Sequence, residues 1–253
     1  MFMRILQVRV NLSTLAQFRD FYHDTIIPEL QKLPGCLFAG LNQSGRNPEE
    51  FISLTFWESQ KYSENYEKSG VYEDLVEIVR PYLAEAVEWK IHLSENLELE
   101  YKPVPEEPIV KQFNVTTQTE AVPPLKEDNA RMYVRIVSLQ IESGKTNEFK
   151  ILYNEEILPV LKLTHGCLYA YLTENLQSKR EYISVTVWDS KEDADRYEQS
   201  GRFQELVDRV KHTFSKLYQW KMVLETDFSK RVKTNDDLTV KHFNMIAGKN
   251  FIK

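Results

Sequence analysis

One ungapped offset of 131 residues lays the first half of this 253-residue chain on the second. Cys36 meets Cys167, Trp57 meets Trp188, Gly70 meets Gly201 and Trp89 meets Trp220, and Phe18, Tyr22 and Pro28 meet Phe149, Tyr153 and Pro159. Every tryptophan and cysteine finds its own kind in that frame, which chance does not produce, so the chain is two homologous domains. We place the first domain at 1–97 and the second at 132–228. Segment 98–131 holds five of the ten prolines and reads as an extended linker. Within it Val110-Lys111-Gln112-Phe113-Asn114 recurs as Val240-Lys241-His242-Phe243-Asn244. Each domain therefore carries an arm, the second at 229–253, expected to cover a sheet edge of its own or of a neighbour. Arms paired with strands of another chain would make tandem chains self-associate.

Within each repeat the order of signals is the same. Leu6, Val8 and Val10 alternate with polar residues, as do Val137, Leu139 and Ile141, which predicts a half-buried strand. Phe18, Tyr22, Ile26 and Leu30 recur every fourth residue, matched by Phe149, Tyr153, Ile157 and Leu161, giving a helix that Pro28 and Pro159 should kink. Two short strands follow a Gly turn, at 37–43 and 51–57 and again at 168–174 and 182–188. Ser59 and Ser190 stand at N-cap positions, and the helix they open is interrupted at Gly70 and Gly201. A second helical piece has apolar positions at Tyr72, Leu75, Val76 and Val79. Trp89, Ile91 and Leu93, with Trp220, Met222 and Leu224, predict a closing strand. The order βαββαβ is the ferredoxin-like motif: an α+β unit with an antiparallel sheet and both helices on one face. Ile52, Leu54 and Phe56 should meet the helices. Phe51, Ser53, Thr55 and Trp57 would then form an aromatic face that two tandem copies bury against each other, as an intramolecular α+β barrel.

Leu33-Pro34-Gly35-Cys36, a strand running into Trp57-Glu58-Ser59, and Tyr66 with Ser69 resemble the antibiotic biosynthesis monooxygenase domain. The second copy keeps Gly166-Cys167, Trp188-Asp189-Ser190, and Tyr197 with Ser200. The resemblance covers both repeats and implies a dimeric α+β barrel, imitated here by one chain. It also implies cofactor-independent oxygenation of phenols or quinols, haem degradation, or no reaction. Of the Asn, Trp and Tyr that line the pocket in anthrone-oxidising members, only the Trp is present. Ser53 and Ser184 occupy the Asn position, and Ser63 and Ala194 the Tyr position. The haem-degrading pattern fails too, since Tyr66 and Tyr197 stand for its Trp and Val76 and Val207 for its His.

Composition limits the function classes further. With 42% hydrophobic and 28% charged residues the chain is globular, and a net charge of −6 without a basic face argues against nucleic acid. No apolar run suits a signal peptide or a membrane span, so a cytoplasmic protein is expected. His23, His92, His165 and His212 find no histidine at the 131 offset, and the five histidines read as surface residues. No flavin, nicotinamide, haem or metal motif appears, and no cofactor is expected. The two cysteines read as free, buried thiols. Trp57 and Trp188 suit either core filling or stacking on an aromatic ligand in a cavity between sheet and helices. Tyr66 and Tyr197 could hydrogen-bond across the domain or orient that ligand. With Ser53 and Ser184 these are the candidate ligand-binding residues, although the serines, Thr55 and Thr186 could equally satisfy one another between sheets. Arg4 with Glu50, and Arg135 with Glu181, read as ion pairs. Two functions stay open, an oxygenase acting on an aromatic small molecule and a non-catalytic ligand-binding or structural barrel.

Overall fold

The computed structural model describes residues 1–93, 99–105, 108–119, 132–215 and 238–251. The first repeat runs β1 (Phe2–Arg9), α1 (Leu15–Phe21), a π-helical turn (Tyr22–Ile26), α2 (Ile27–Lys32), β2 (Cys36–Ser44), β3 (Glu50–Trp57), α3 (Gln60–Lys68) and α4 (Val71–Val79). Then come β4 (Glu85–Leu93), β5 (Leu99–Pro105) and β6 (Ile109–Gln118). The second repeat mirrors it with β7 (Tyr133–Gln140), α5 (Thr146–Leu152), a π turn (Tyr153–Ile157), α6 (Leu158–Leu163), β8 (Cys167–Asn175), β9 (Glu181–Trp188), α7 (Lys191–Gln199), α8 (Arg202–Val210) and β10 (Leu238–Asn250). The expected proline kink takes the form of the π turn. Pro28 and Pro159 sit at the start of the helical segment that follows, and the wider turn absorbs the hydrogen bond each proline cannot donate. Gly70 and Gly201, at φ of +81° and +79°, separate the paired helices in a conformation that costs glycine little.

Eight strands close into one barrel in the order β1-β3-β2-β10-β7-β9-β8-β6. The fourth strand of each unit is the arm. β6 pairs along Ile109–Asn114 with β1 of its own repeat and along Phe113–Gln118 with β8 of the other. β10 pairs along Leu238–Asn244 with β7 and along Phe243–Asn250 with β2. One expectation is corrected here. The strand carrying Trp89, Ile91 and Leu93 does not close the first sheet but pairs with β5 in a separate hairpin, while Trp220 to Leu224 lie outside the described residues. The arms cover sheet edges within this chain, one of the two expected forms, and each is paired on both sides in the barrel.

Three cores follow from this arrangement. One fills the barrel with Met3, Ile5, Phe38, Ile52, Leu54, Phe56, Tyr171, Val185, Phe243 and Met245 among others. The other two lie between sheet and helices, one in each repeat. The facing of β3 is therefore the reverse of that expected. Ile52, Leu54 and Phe56 point into the barrel, and Phe51 and Trp57 pack under the helices. Among the described residues no helix is long and apolar enough to cross a membrane.

Candidate functional site

Beneath the helices of each repeat the sheet carries a row of polar residues set by strand register. In the first repeat Thr55 on β3, Arg4 on β1 and Gln112 on β6 are cross-strand neighbours. In the second the row is Thr186, Arg135 and His242. Helices α3 and α7 add Glu67 and Glu198. Arg4 Nε donates to Glu67 Oε1 at 3.2 Å, and Gln112 Nε2 donates to the same oxygen at 2.7 Å. Arg135 Nε donates to Glu198 Oε1, and His242 Nε2 lies 2.8 Å from that atom. The expected pairs of Arg4 with Glu50 and Arg135 with Glu181 are thus replaced, because both arginines face the helices while Glu50 binds Gln7 and Lys241. His242, only 16% exposed and stacked on Tyr133, departs from the surface role expected of histidines, whereas His23 and His165 are exposed. Burial pushes the Glu198 carboxyl up, but hydrogen bonds and charge from His242 and Arg135 outweigh it and hold the group at about 2.

Above each row is a cavity, about 50 Å³ in the first repeat and about 40 Å³ in the second. Arg4, Tyr22, Ser53, Thr55, Tyr66 and Tyr72 give the first its polar groups, and Phe18, Leu41, Leu75 and Val79 are among its apolar walls. Arg135, Tyr153, Ser184, Thr186 and Tyr197 do the same in the second, with Phe203 where the first has Tyr72. Ser53 and Ser184 do not pair between sheets as expected. They lie 2.7 Å and 2.8 Å from the Tyr22 and Tyr153 hydroxyls. Thr55 and Thr186 donate to the Arg4 and Arg135 carbonyls and accept from the Trp57 and Trp188 indoles.

The six candidate residues therefore divide into two sets. Ser53 and Tyr66, with Ser184 and Tyr197, line the cavities. Trp57 and Trp188 are fully buried behind them, with ring centroids 5.3 Å and 5.1 Å from Tyr66 and Tyr197. Arg4 and Arg135 were read only as ion-pair partners, Gln112 only as an arm residue and His242 as a surface residue of the other arm; repeat symmetry was the signal that could have joined them. Burial raises Tyr22, Tyr66 and Tyr153 above the usual phenol range and Tyr197 to about 12, so these hydroxyls stay protonated. No carboxylate or imidazole is among the described residues that line either cavity.

Gly35 and Gly166 fix the helices over these cavities. Both have positive φ, and a Cβ on either would lie 2.3 Å from the Tyr62 ring or the Asp193 carboxyl. The Gly-Cys element is thus a close-packing device. Cys36 is buried and Cys167 half-buried, and desolvation pushes both thiols up to about 12, which leaves little nucleophilic thiolate.

The family model for antibiotic biosynthesis monooxygenase matches residues 1–78 and 132–209. A candidate monooxygenase of Fusobacterium nucleatum has 10% identical residues and a TM-score of 0.67, over 98% of this chain and 94% of that one. One from Lactobacillus acidophilus has 11% identity and a TM-score of 0.63, over 99% and 96%. An anthrone oxidase-like protein has 9% identity and a TM-score of 0.58, over 100% and 94%. At these identities the likeness is one of fold. No match in sequence was found among curated proteins.

Proposed function

We propose, because this chain belongs to the antibiotic biosynthesis monooxygenase family, that its two cavities bind a small phenol or quinol and oxygenate it without a bound cofactor. The reading rests chiefly on one observation, the recurrence in both repeats of an apolar cavity whose polar groups converge from β1, β3 and the helices. The chemistry supported is insertion of one oxygen atom. The phenol gives up its hydroxyl proton, the phenolate passes electrons to dioxygen through a ring carbon that bears hydrogen, and collapse of the resulting peroxide with loss of that hydrogen leaves a quinone and water, so that the phenol O–H, the ring C–H and O2 become two C=O groups and H2O. The protein's share is exclusion of water and orientation. Ser53 and Tyr66, with Ser184 and Tyr197, would contact the ring, and Trp57 and Trp188 would hold those tyrosines in place.

Cavity size narrows the substrate. About 50 Å³ is below the roughly 150 Å³ that admits benzene into a protein core. One ring would therefore enter only as α4, which carries Leu75, Val76 and Val79, moves outward, and a fused tricycle would require far more. The test is oxygen consumption with one-ring quinols, catechols and anthrones, comparing wild type with Tyr66→Phe and Tyr197→Phe. Uptake with a one-ring substrate, reduced by either change, supports the proposal and tells which repeat works. Tryptophan fluorescence that responds to ligand without oxygen uptake would replace the oxygenase with a ligand-binding barrel.

A further inference from the structure

Each cavity holds one cation with unused bonding capacity. Arg4 and Arg135 are 3% and 2% exposed, and the Nη2 of each is buried with no hydrogen-bond partner among the described residues. A guanidinium presents five N–H donors and is never deprotonated in a protein, so a buried donor left empty is costly. Both arginines are held firmly. Nε is tied to Glu67 or Glu198, and the guanidinium carbon lies 4.3 Å from the Tyr72 ring centroid in one repeat and 4.0 Å from that of Phe203 in the other. The same feature occurs in both repeats.

We infer that Nη2 of Arg4 and of Arg135 is the contact for a ligand oxyanion, so that each cavity takes a small apolar molecule carrying one ionised oxygen, as a phenolate or enolate. This rests on the reading of the cavities as ligand sites and adds the ionisation state in which the ligand is held. With no carboxylate or imidazole among the described lining residues, the arginine favours loss of the ligand's proton by stabilising the anion that remains. An oxyanion against Nη2 gains a charge-assisted bond in a water-poor site. Other titratable groups close to Arg4 are Glu67, Tyr66 and Tyr72, the last within hydrogen-bonding reach of the guanidinium, and Tyr22 lines the same cavity. Those close to Arg135 are Glu198, His242, Cys167, Tyr153 and Tyr197. The carboxylates are already bonded to the arginines, and the phenols and thiols are neutral.

The experiment uses 4-fluorophenol and its uncharged counterpart 4-fluorotoluene with the full chain, read by fluorine NMR from pH 6 to 10. The expected result is that bound 4-fluorophenol ionises below the free compound, the direct bond to Nη2 outweighing the burial that keeps Tyr66 and Tyr197 protonated beside the same arginines. Its affinity should also rise as pH passes through its pKa, while 4-fluorotoluene shows no such rise. Arg4→Met should abolish the shifted signal of one cavity and Arg135→Met that of the other, with Arg→Lys restoring part of it. Three results would overturn the inference: bound phenol that ionises at or above the free value, equal binding of 4-fluorotoluene at all pH values, or no binding of either. The last also removes the cavity reading, whereas the first two leave that reading standing. Should the methionine variants fail to fold, the wild-type comparison of the two ligands still decides.

Discussion

Replacement of Glu198 by glutamine should flatten the acid limb of the stability profile. The Glu198 carboxyl is held at about 2 in the fold against an ordinary value of 4.5. A carboxyl lower in the folded than in the unfolded chain stabilises the fold while ionised. Its contribution is complete above about 4.5 and disappears as pH falls toward 2. At about 1.4 kcal/mol per pH unit the separation is worth roughly 3 kcal/mol. With the side chain 29% exposed, solvent screening lowers that to about 2 kcal/mol. Urea unfolding at pH 7, 5, 4 and 3 is the assay. Wild type should lose about half of that energy between pH 5 and 3 relative to Glu198→Gln, and His242→Gln, which copies the Gln112 of the first repeat, should fall between them. Parallel profiles for wild type and Glu198→Gln would refute the argument that Arg135 and His242 set the charge state of this group.

Other consequences are open to simple measurements. The Ser63 hydroxyl is buried without a partner among the described residues, while its counterpart is Ala194. Ser63→Ala should therefore stabilise the chain by about 1 kcal/mol in denaturant titration, and a loss of stability would reveal a bond at that oxygen. With both thiols pushed up to about 12, Cys36 and Cys167 should react with a thiol reagent at pH 8 only as the chain unfolds. Reaction of either in native buffer at the rate of a free thiol would contradict the raised values. A chain ending at residue 237 lacks β10 and leaves β2 and β7 with bare edges, so light scattering should find it associated. A monomer as heat-stable as the full chain would show that the barrel does not depend on that closure.

The repeat, the order of elements and the α+β barrel were legible because each repeat independently carries the same pattern. The facing of β3 was not. Phe51, Ile52, Leu54, Phe56 and Trp57 are all bulky and apolar, and a strand buried on both sides does not mark which face meets the helices. The better cue lay on β1, where Leu6 and Val8 contact the helices and Met3 and Ile5 the barrel. Strand partners were equally hidden. Alternation identified the strand at Trp89 to Leu93 but could not choose β5 over β1, and that choice decided which arm residues entered the site. Ser53, Tyr66, Ser184 and Tyr197 were found because they are polar or aromatic at paired positions. Arg4 and Arg135 were equally well paired, but a cation on a strand reads as a surface ion pair until register sets it under two helices.

Fusion of the two copies also changes what the cavities can become. In a symmetric dimer each substitution appears in both sites at once, whereas a tandem chain alters one and keeps the other. Here the arginine, the glutamate, the Tyr–Ser pair and the Trp–Tyr stack are common to both cavities. Besides the apolar exchanges of Leu6 for Val137 and Val8 for Leu139, the differences are at the rim and the fourth strand: Tyr72 against Phe203, and Gln112 against His242. The first substitution adds a hydroxyl beside the guanidinium of cavity one. The second gives Glu198 a partner able to carry charge, where Glu67 has an amide. A ligand with a second polar group should therefore prefer the first cavity and a wholly apolar ring the second, and the separate losses caused by Arg4→Met and Arg135→Met make that preference measurable.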